Sequence, residues 1–196
     1  MAAVALVDAG GANIGSVRYA LLRLGVESRL TIDADTLRAA SHVILPGVGA
    51  AAAGMARLRE LRLIEVVRNL TQPVLGLCLG MQLLFEHSEE GDTPCLGLLP
   101  GTLRRLKGGG VRVPHMGWNQ LRIERAHRLL YGIESGAHMY FVHSYAADVG
   151  SATLASCEHG GEFSAVVQSR NFFGAQFHPE RSAAAGARLL SNFLEL

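Results

Sequence analysis

Charge is scarce in this chain. Asp, Glu, Lys and Arg make up 18% of 196 residues and nearly cancel to a net +1. There is no broad field of one sign to recruit nucleic acid or an anionic membrane surface. Cysteine is scarcer still: Cys78, Cys95 and Cys157 form no Cys-x-x-Cys pair and no even framework. That argues against a disulfide scaffold and for a reduced, cytoplasmic setting. Long apolar runs are also missing. The longest uncharged stretch, Ala39 to Ala56, is interrupted by His42, Pro46 and three glycines. It reads as strand, loop and helix start rather than as a membrane span. The N-terminal Met1–Asp8 lacks a basic start and is too short for a signal peptide. No His, Cys and Asp set has metal-ligand spacing. His138 and His143, five apart, would face opposite ways on a strand. No metal and no cofactor is expected. With no repeat or linker, 1–196 reads as one domain with a sizeable core.

Against that plain background one stretch stands out, Pro73-Val-Leu-Gly-Leu-Cys78-Leu-Gly-Met-Gln82. Val74 to Leu77 is a short apolar run, read as a buried strand. Met81 to Glu86 continues with helix formers. A cysteine bracketed by Gly76 and Gly80 at a strand-to-helix junction has the layout of a nucleophile elbow. Gly permits a sharp turn without a Cβ clash. A thiol at a helix N-terminus is favoured as thiolate.

The first half alternates. Ala3–Val7, Glu27–Thr31, His42–Leu45 and Val74–Leu77 read as strands. Helices are expected around Val17–Leu24, capped by Asn13 or Ser16, from Asp33 or Asp35 to Ala40, and over Ala50–Leu70 with a break near Leu61. This order predicts an α/β fold: a three-layer α/β/α sandwich on a mostly parallel, flavodoxin-like sheet. The second half is β-like at Leu103–Lys107, Trp118–Glu124, His138–Ala146, Thr153–Glu158, Phe163–Ser169 and Phe172–Phe177. Helical crossovers are missing there, so an antiparallel extension is expected. Ala183–Leu194 closes the chain as a helix.

A nucleophilic thiol needs a base, and the base needs an orienting group. Of eight histidines, His178 has the right company, in Gln176-Phe-His178-Pro-Glu180. The Phe172–Phe177 run delivers it to a strand end, where α/β sites lie. Pro179 holds His178 out of the helical region. Glu180 can accept the Nδ1 proton and leave Nε2 facing the sulfur.

The Gly-x-Cys-x-Gly and Phe-His-Pro-Glu motifs together resemble the class I glutamine amidotransferases. Pro46-Gly-Val-Gly49, His115-Met-Gly-Trp-Asn119, Tyr140-Phe-Val-His-Ser-Tyr145 and Gln176-Phe-His-Pro-Glu-Arg-Ser182 narrow the likeness. They resemble the glutaminase subunits of imidazole glycerol phosphate synthases, of histidine biosynthesis. Arg181 stands where that group has Lys; it keeps the charge but changes the geometry.

The resemblance implies a catalytic Cys78, His178 and Glu180, hydrolysing glutamine to glutamate and ammonia. It implies oxyanion donors at Leu79 and at the Gly47–Val48 loop. It places glutamine against Gln82, Glu90, His143, Ser144 and Tyr145. It sets Trp118, Asn119, Met116, Tyr140, Arg181 and Asn13 toward a (βα)8-barrel cyclase subunit that consumes the ammonia. Other readings stay open: the glutaminase of a different synthase, a stand-alone cysteine amidase, or a silent binding subunit.

Overall fold

The computed structural model describes residues 3–8 and 13–196. Most of the turn read at Gly10–Asn13 lies outside them. The elements in chain order are β1 (Val4–Val7), α1 (Ile14–Arg23), β2 (Ser28–Thr31), α2 (Ala34–Ala39), β3 (His42–Leu45), α3 (Ala51–Glu60), α4 (Ile64–Arg68), β4 (Val74–Leu77) and α5 (Leu79–Leu83). There follow β5 (His87–Ser88), β6 (Thr93–Pro94), β7 (Thr102–Arg105), β8 (His115–Gln120), β9 (Arg122–Ile123), β10 (His138–His143) and β11 (Tyr145–Ala147). The chain ends with β12 (Thr153–Glu158), β13 (Glu162–Ser169), β14 (Phe172–Ala175) and α6 (Ala183–Leu194).

The central sheet runs β2-β1-β3-β4-β14-β13-β12-β9. From β2 through β14 every pairing is parallel, and β13, β12 and β9 continue it antiparallel. Alternation along the strands splits the core between the two faces. Val4 and Leu6 of β1, with Ile44 of β3, pack toward α1 and α6, meeting Val17, Leu21, Leu189 and Phe193. Ala5 and Val7, with Val43 and Leu45, pack toward α2, α3 and α4, meeting Leu37, Leu58 and Val67. These are the three layers expected from the alternating half.

Local chemistry fixes several boundaries. Asp33 opens α2 by accepting the Thr36 N–H at 2.8 Å. The long helical pattern breaks at Leu61–Leu63, with Arg62 left-handed at φ 57°. Three expectations need correction. The helix after Cys78 starts at Leu79 and ends at Leu83, because the Leu84 carbonyl is taken by the N–H groups of Leu98 and Leu99. Trp118–Glu124 is two strands, and so is His138–Ala146. The chain changes sheet at Leu121 and at Ser144: β8 pairs β10, β9 pairs β12, and β11 pairs β7. Finally, neither Asn13 nor Ser16 caps α1 through its side chain. The Asn13 amide is used elsewhere, as described below. Among the described residues no helix is long and apolar enough to cross a membrane.

Candidate active site

The elbow is built by β4, Cys78 and α5. Cys78 sits at φ 51° and ψ −107°, a conformation that side chains other than Gly seldom adopt. Strain of this kind costs about 1–3 kcal/mol and persists only where its surroundings enforce it. They do so here. The Cys78 N–H donates to the Ala175 carbonyl of β14 at 2.8 Å. The two glycines act by clearing space, while the sharp turn falls on Cys78 itself. A Cβ on Gly76 would meet the Gly80 carbonyl oxygen at 2.5 Å, and one on Gly80 would run into the Leu45 carbonyl of β3.

β14 brings the second component. Beyond Ala175 the chain bends at Gln176 and Phe177; Gln176 reaches the Cys78 sulfur and His178 lines the cavity over it, while Phe177 turns into the core. Phe177 is fully buried against Phe141. The His178 ring is buried, lines the same cavity as Cys78, and donates from Nδ1 to Glu180 Oε1 at 2.9 Å. Burial works to lower His178. The neighbouring Cys78 and Glu180 outweigh it and carry the ring up to about 10. The Glu180 side chain is completely buried and takes a second hydrogen bond, 2.5 Å from Asn13 Nδ2. The loop is clamped by β10. Tyr140 O accepts the His178 N–H at 2.9 Å, and Ser182 Oγ donates to His178 O at 2.7 Å.

A cavity of about 240 Å³ opens over the sulfur. Val48, Gly49, Gln82, Glu90, the 142–145 segment and His178 line it. Gln82 is buried, and its Nε2 donates to Tyr145 O at 2.9 Å and to Gln176 Oε1 at 3.1 Å. Glu90 reaches the cavity while Oε2 accepts the Ala51 N–H at 2.8 Å, at the start of α3. The Leu79 N–H donates to Gly47 O at 3.3 Å, so this expected oxyanion donor is engaged by the neighbouring loop. A larger cavity, about 1050 Å³ along β2 and α2, holds no nucleophile and lies away from Cys78.

Behind the cavity wall is a neutral histidine pair. A carbonyl only accepts, so His143 Nδ1 donates to Tyr145 O at 3.0 Å and its Nε2 accepts from His115 Nδ1 at 3.0 Å. Asn119 Nδ2 then donates to His115 Nε2 at 3.2 Å. Burial, with repulsion from His159, pushes His115 down to about 4. Among the described residues no group of three or more His, Cys, Asp or Glu side chains could hold a metal.

The outer face of the β8–β10 ribbon is exposed. Trp118 is 53% exposed and Met116 64%. The Trp118 ring meets Tyr140 edge-on at 5.8 Å, and the Arg181 guanidinium lies 5.0 Å over the Tyr140 ring. The face borders the cavity, since Val142, opposite Met116 in the ribbon, also lines the cavity.

The geometry provides a buried sulfur, a histidine to move its proton, a carboxylate to orient that histidine, and room for a small amide. The description "Glutamine amidotransferase class-I" matches residues 5–196. The chain belongs to the class I glutamine amidotransferases. Relatives similar to this chain include two described as "Imidazole glycerol phosphate synthase subunit HisH". They come from Xylella fastidiosa and Xanthomonas campestris. Each is 62% identical over 197 residues, covering 100% of this chain and 98% of the relative. Two solved structures share the fold. A glutamine amidotransferase crystal structure has TM-score 0.76 and 24% identity, covering 98% of this chain and 97% of that one. Another, from Thermotoga maritima, has TM-score 0.64 and 17% identity, covering 100% and 84%.

Sequence reasoning gave Gln176 no role and did not name the Val142 carbonyl, which lies 3.6 Å from Cys78 Sγ. Its place two residues before His178 in the same motif was signal enough for the first. The second is a main-chain group and leaves no mark in the sequence.

Proposed function

We propose that this chain is the glutaminase subunit of an imidazole glycerol phosphate synthase. It hydrolyses L-glutamine to glutamate and ammonia, and delivers the ammonia to a (βα)8-barrel cyclase subunit in histidine biosynthesis. The reading takes 1–196 as one glutaminase domain working in the cytoplasm. The observation that carries it is the meeting of Cys78, on its strained elbow, with the His178–Glu180 pair at a cavity the size of an amino acid.

Cys78 attacks the side-chain amide carbon as thiolate, with His178 protonated beside it. His178 gives its proton to the departing ammonia, leaving a thioester. Acylation removes the negative charge on sulfur, one of the causes that raise His178. The ring is then able to act as base on the water that cleaves the thioester. The Leu79 N–H and a peptide of the Gly47–Val48 loop serve the oxyanion once the Leu79–Gly47 hydrogen bond opens. Losing one such donor costs about 10²–10³ in rate, so that hydrogen bond holds the resting enzyme back. Gln82 and Glu90 take the amide and amino ends of glutamine, and His143, Ser144 and Tyr145 line its carboxylate. Met116, Trp118, Tyr140 and Arg181 face the cyclase, with Asn119 and Asn13, whose amides turn inward to His115 and Glu180, at the edge of that face.

The test is ammonia release from glutamine, with and without the cyclase subunit and its nucleotide substrate. Release is expected to rise in the full complex and to vanish with Cys78→Ala. No release under any condition, or equal release by the variant, overturns the reading.

A further inference from the structure

Gln176 is the one fully buried amide that touches the sulfur. Hydrogen-bond logic fixes how its amide is turned. Tyr145 O is a carbonyl and only accepts, so Gln82 must present its NH2 end there, at 2.9 Å. The same nitrogen lies 3.1 Å from Gln176, which must answer with its oxygen. The Gln176 NH2 is thereby aimed at Cys78 Sγ, 3.7 Å away. Neither amide can flip without setting two donors or two acceptors against each other. The backbone is equally fixed, since the Gln176 N–H donates to Ala165 O at 2.9 Å. Tyr145 O also takes the His143 Nδ1 proton, so its orientation is held from a second side.

We propose that Gln176 is a positioning residue with two effects: it donates a hydrogen bond to the Cys78 sulfur, and together with Tyr145 O it holds the Gln82 amide in the orientation that faces glutamine. With its NH2 spent on Tyr145 and Gln176, Gln82 offers its oxygen to the cavity and meets the substrate as an acceptor. The proposal rests on Cys78 being the nucleophile.

Two variants test it. Gln176→Leu and the near-isosteric Gln176→Met both remove donor and acceptor, and Met preserves shape if Leu does not fold. The first readout is the pH dependence of Cys78 alkylation by iodoacetamide, with neither glutamine nor cyclase present. Burial pushes the other two thiols up, Cys95 to about 11 and Cys157 to about 12, so the reaction reads Cys78. Losing a donor to the thiolate moves the alkylation profile alkaline by about half to one pH unit, with a severalfold lower rate at neutral pH. The second readout is steady-state kinetics of the complex with cyclase, where KM for glutamine rises severalfold as Gln82 loses its register. A purely structural role would lower thermal stability and the active fraction but leave the pH profile and KM in place. A folded Met variant with the wild-type alkylation profile and KM overturns the proposal. A wild type that alkylates at Cys78 yet releases no ammonia defeats the glutaminase reading while leaving the alkylation comparison intact.

Discussion

Mild acid is expected to loosen this fold through His143. The side chain is 5% exposed and has both nitrogens committed, Nδ1 donating to Tyr145 O and Nε2 accepting from His115. A proton on Nε2 would set two donors face to face. Burial is the first cause that lowers His143. The Tyr145 carbonyl opposes it, and His115, His159 and His178 add repulsion, leaving the ring at about 3. In the unfolded chain a histidine titrates near 6.5. Above that value neither state binds the proton, and the full stability is present. Below it the unfolded chain takes a proton that the fold refuses. Stability is therefore lost as pH falls from 6.5 toward the folded value, at about 1.4 kcal/mol per pH unit. Between about pH 7 and pH 5 His143 alone removes about 2 kcal/mol, a sizeable share of the 5–15 kcal/mol typical of a domain. The assay is urea unfolding of wild type and His143→Gln across that range, since Gln keeps a donor for Tyr145 O and cannot titrate. Carboxylates and the other histidines act on both proteins and cancel in the difference. The wild-type advantage should shrink by about 2 kcal/mol on going to pH 5. A gap that stays constant with pH would refute the reasoning.

Three other outcomes follow from the same geometry. Glu180→Gln keeps the shape but removes the charge that helps raise His178, so turnover should fall about 10²–10⁴-fold and His178 should titrate lower, visible in the pH–rate profile. An unchanged profile would dissociate Glu180 from the histidine. Gly80→Ala places a methyl group against the Leu45 carbonyl, so a loss of about 3 kcal/mol or more in chemical denaturation is expected, with loss of Cys78 alkylation. A stable, alkylatable variant would show that the elbow has room for a methyl group. Trp118→Ala removes a half-exposed ring with little to lose in the free subunit. Its thermal midpoint should stay put, while affinity for the cyclase by calorimetry falls tenfold or more, about 1.4 kcal/mol.

The parallel half was legible because β1, β3 and β4 are short apolar runs punctuated by a turn residue, and a run buried on both faces needs no partner to be recognised; β2, a half-exposed edge strand, showed only weak alternation. The antiparallel half was legible as strands but not as sheets. Trp118–Glu124 and His138–Ala146 are continuous in β-forming residues, yet the chain leaves one sheet and joins another at Leu121 and Ser144. That choice belongs to tertiary pairing, where a one-residue shift exchanges the two faces of a strand. Its effect is functional: β10 points His143 into the core behind the cavity, while β11 carries Tyr145 O to Gln82.

Within the site, what was legible is local. Cys78 lies between its glycines, and Glu180 lies two residues from His178, so short spacing rules reach both. What was illegible is polar and distant. Asn13 follows a strand and precedes a helix, the position of a cap, and 167 residues separate it from Glu180. Capping was the local answer, and the fold rejected it. Asn13 adopts φ 84°, where a cap bond does not form, and its amide turns inward to a carboxylate that has lost all contact with water. A buried charge needs hydrogen-bond donors more than a helix end needs a cap: an unpaired buried charge costs several kcal/mol, a missing cap about one. The larger demand takes the side chain, and it arises only when the chain closes.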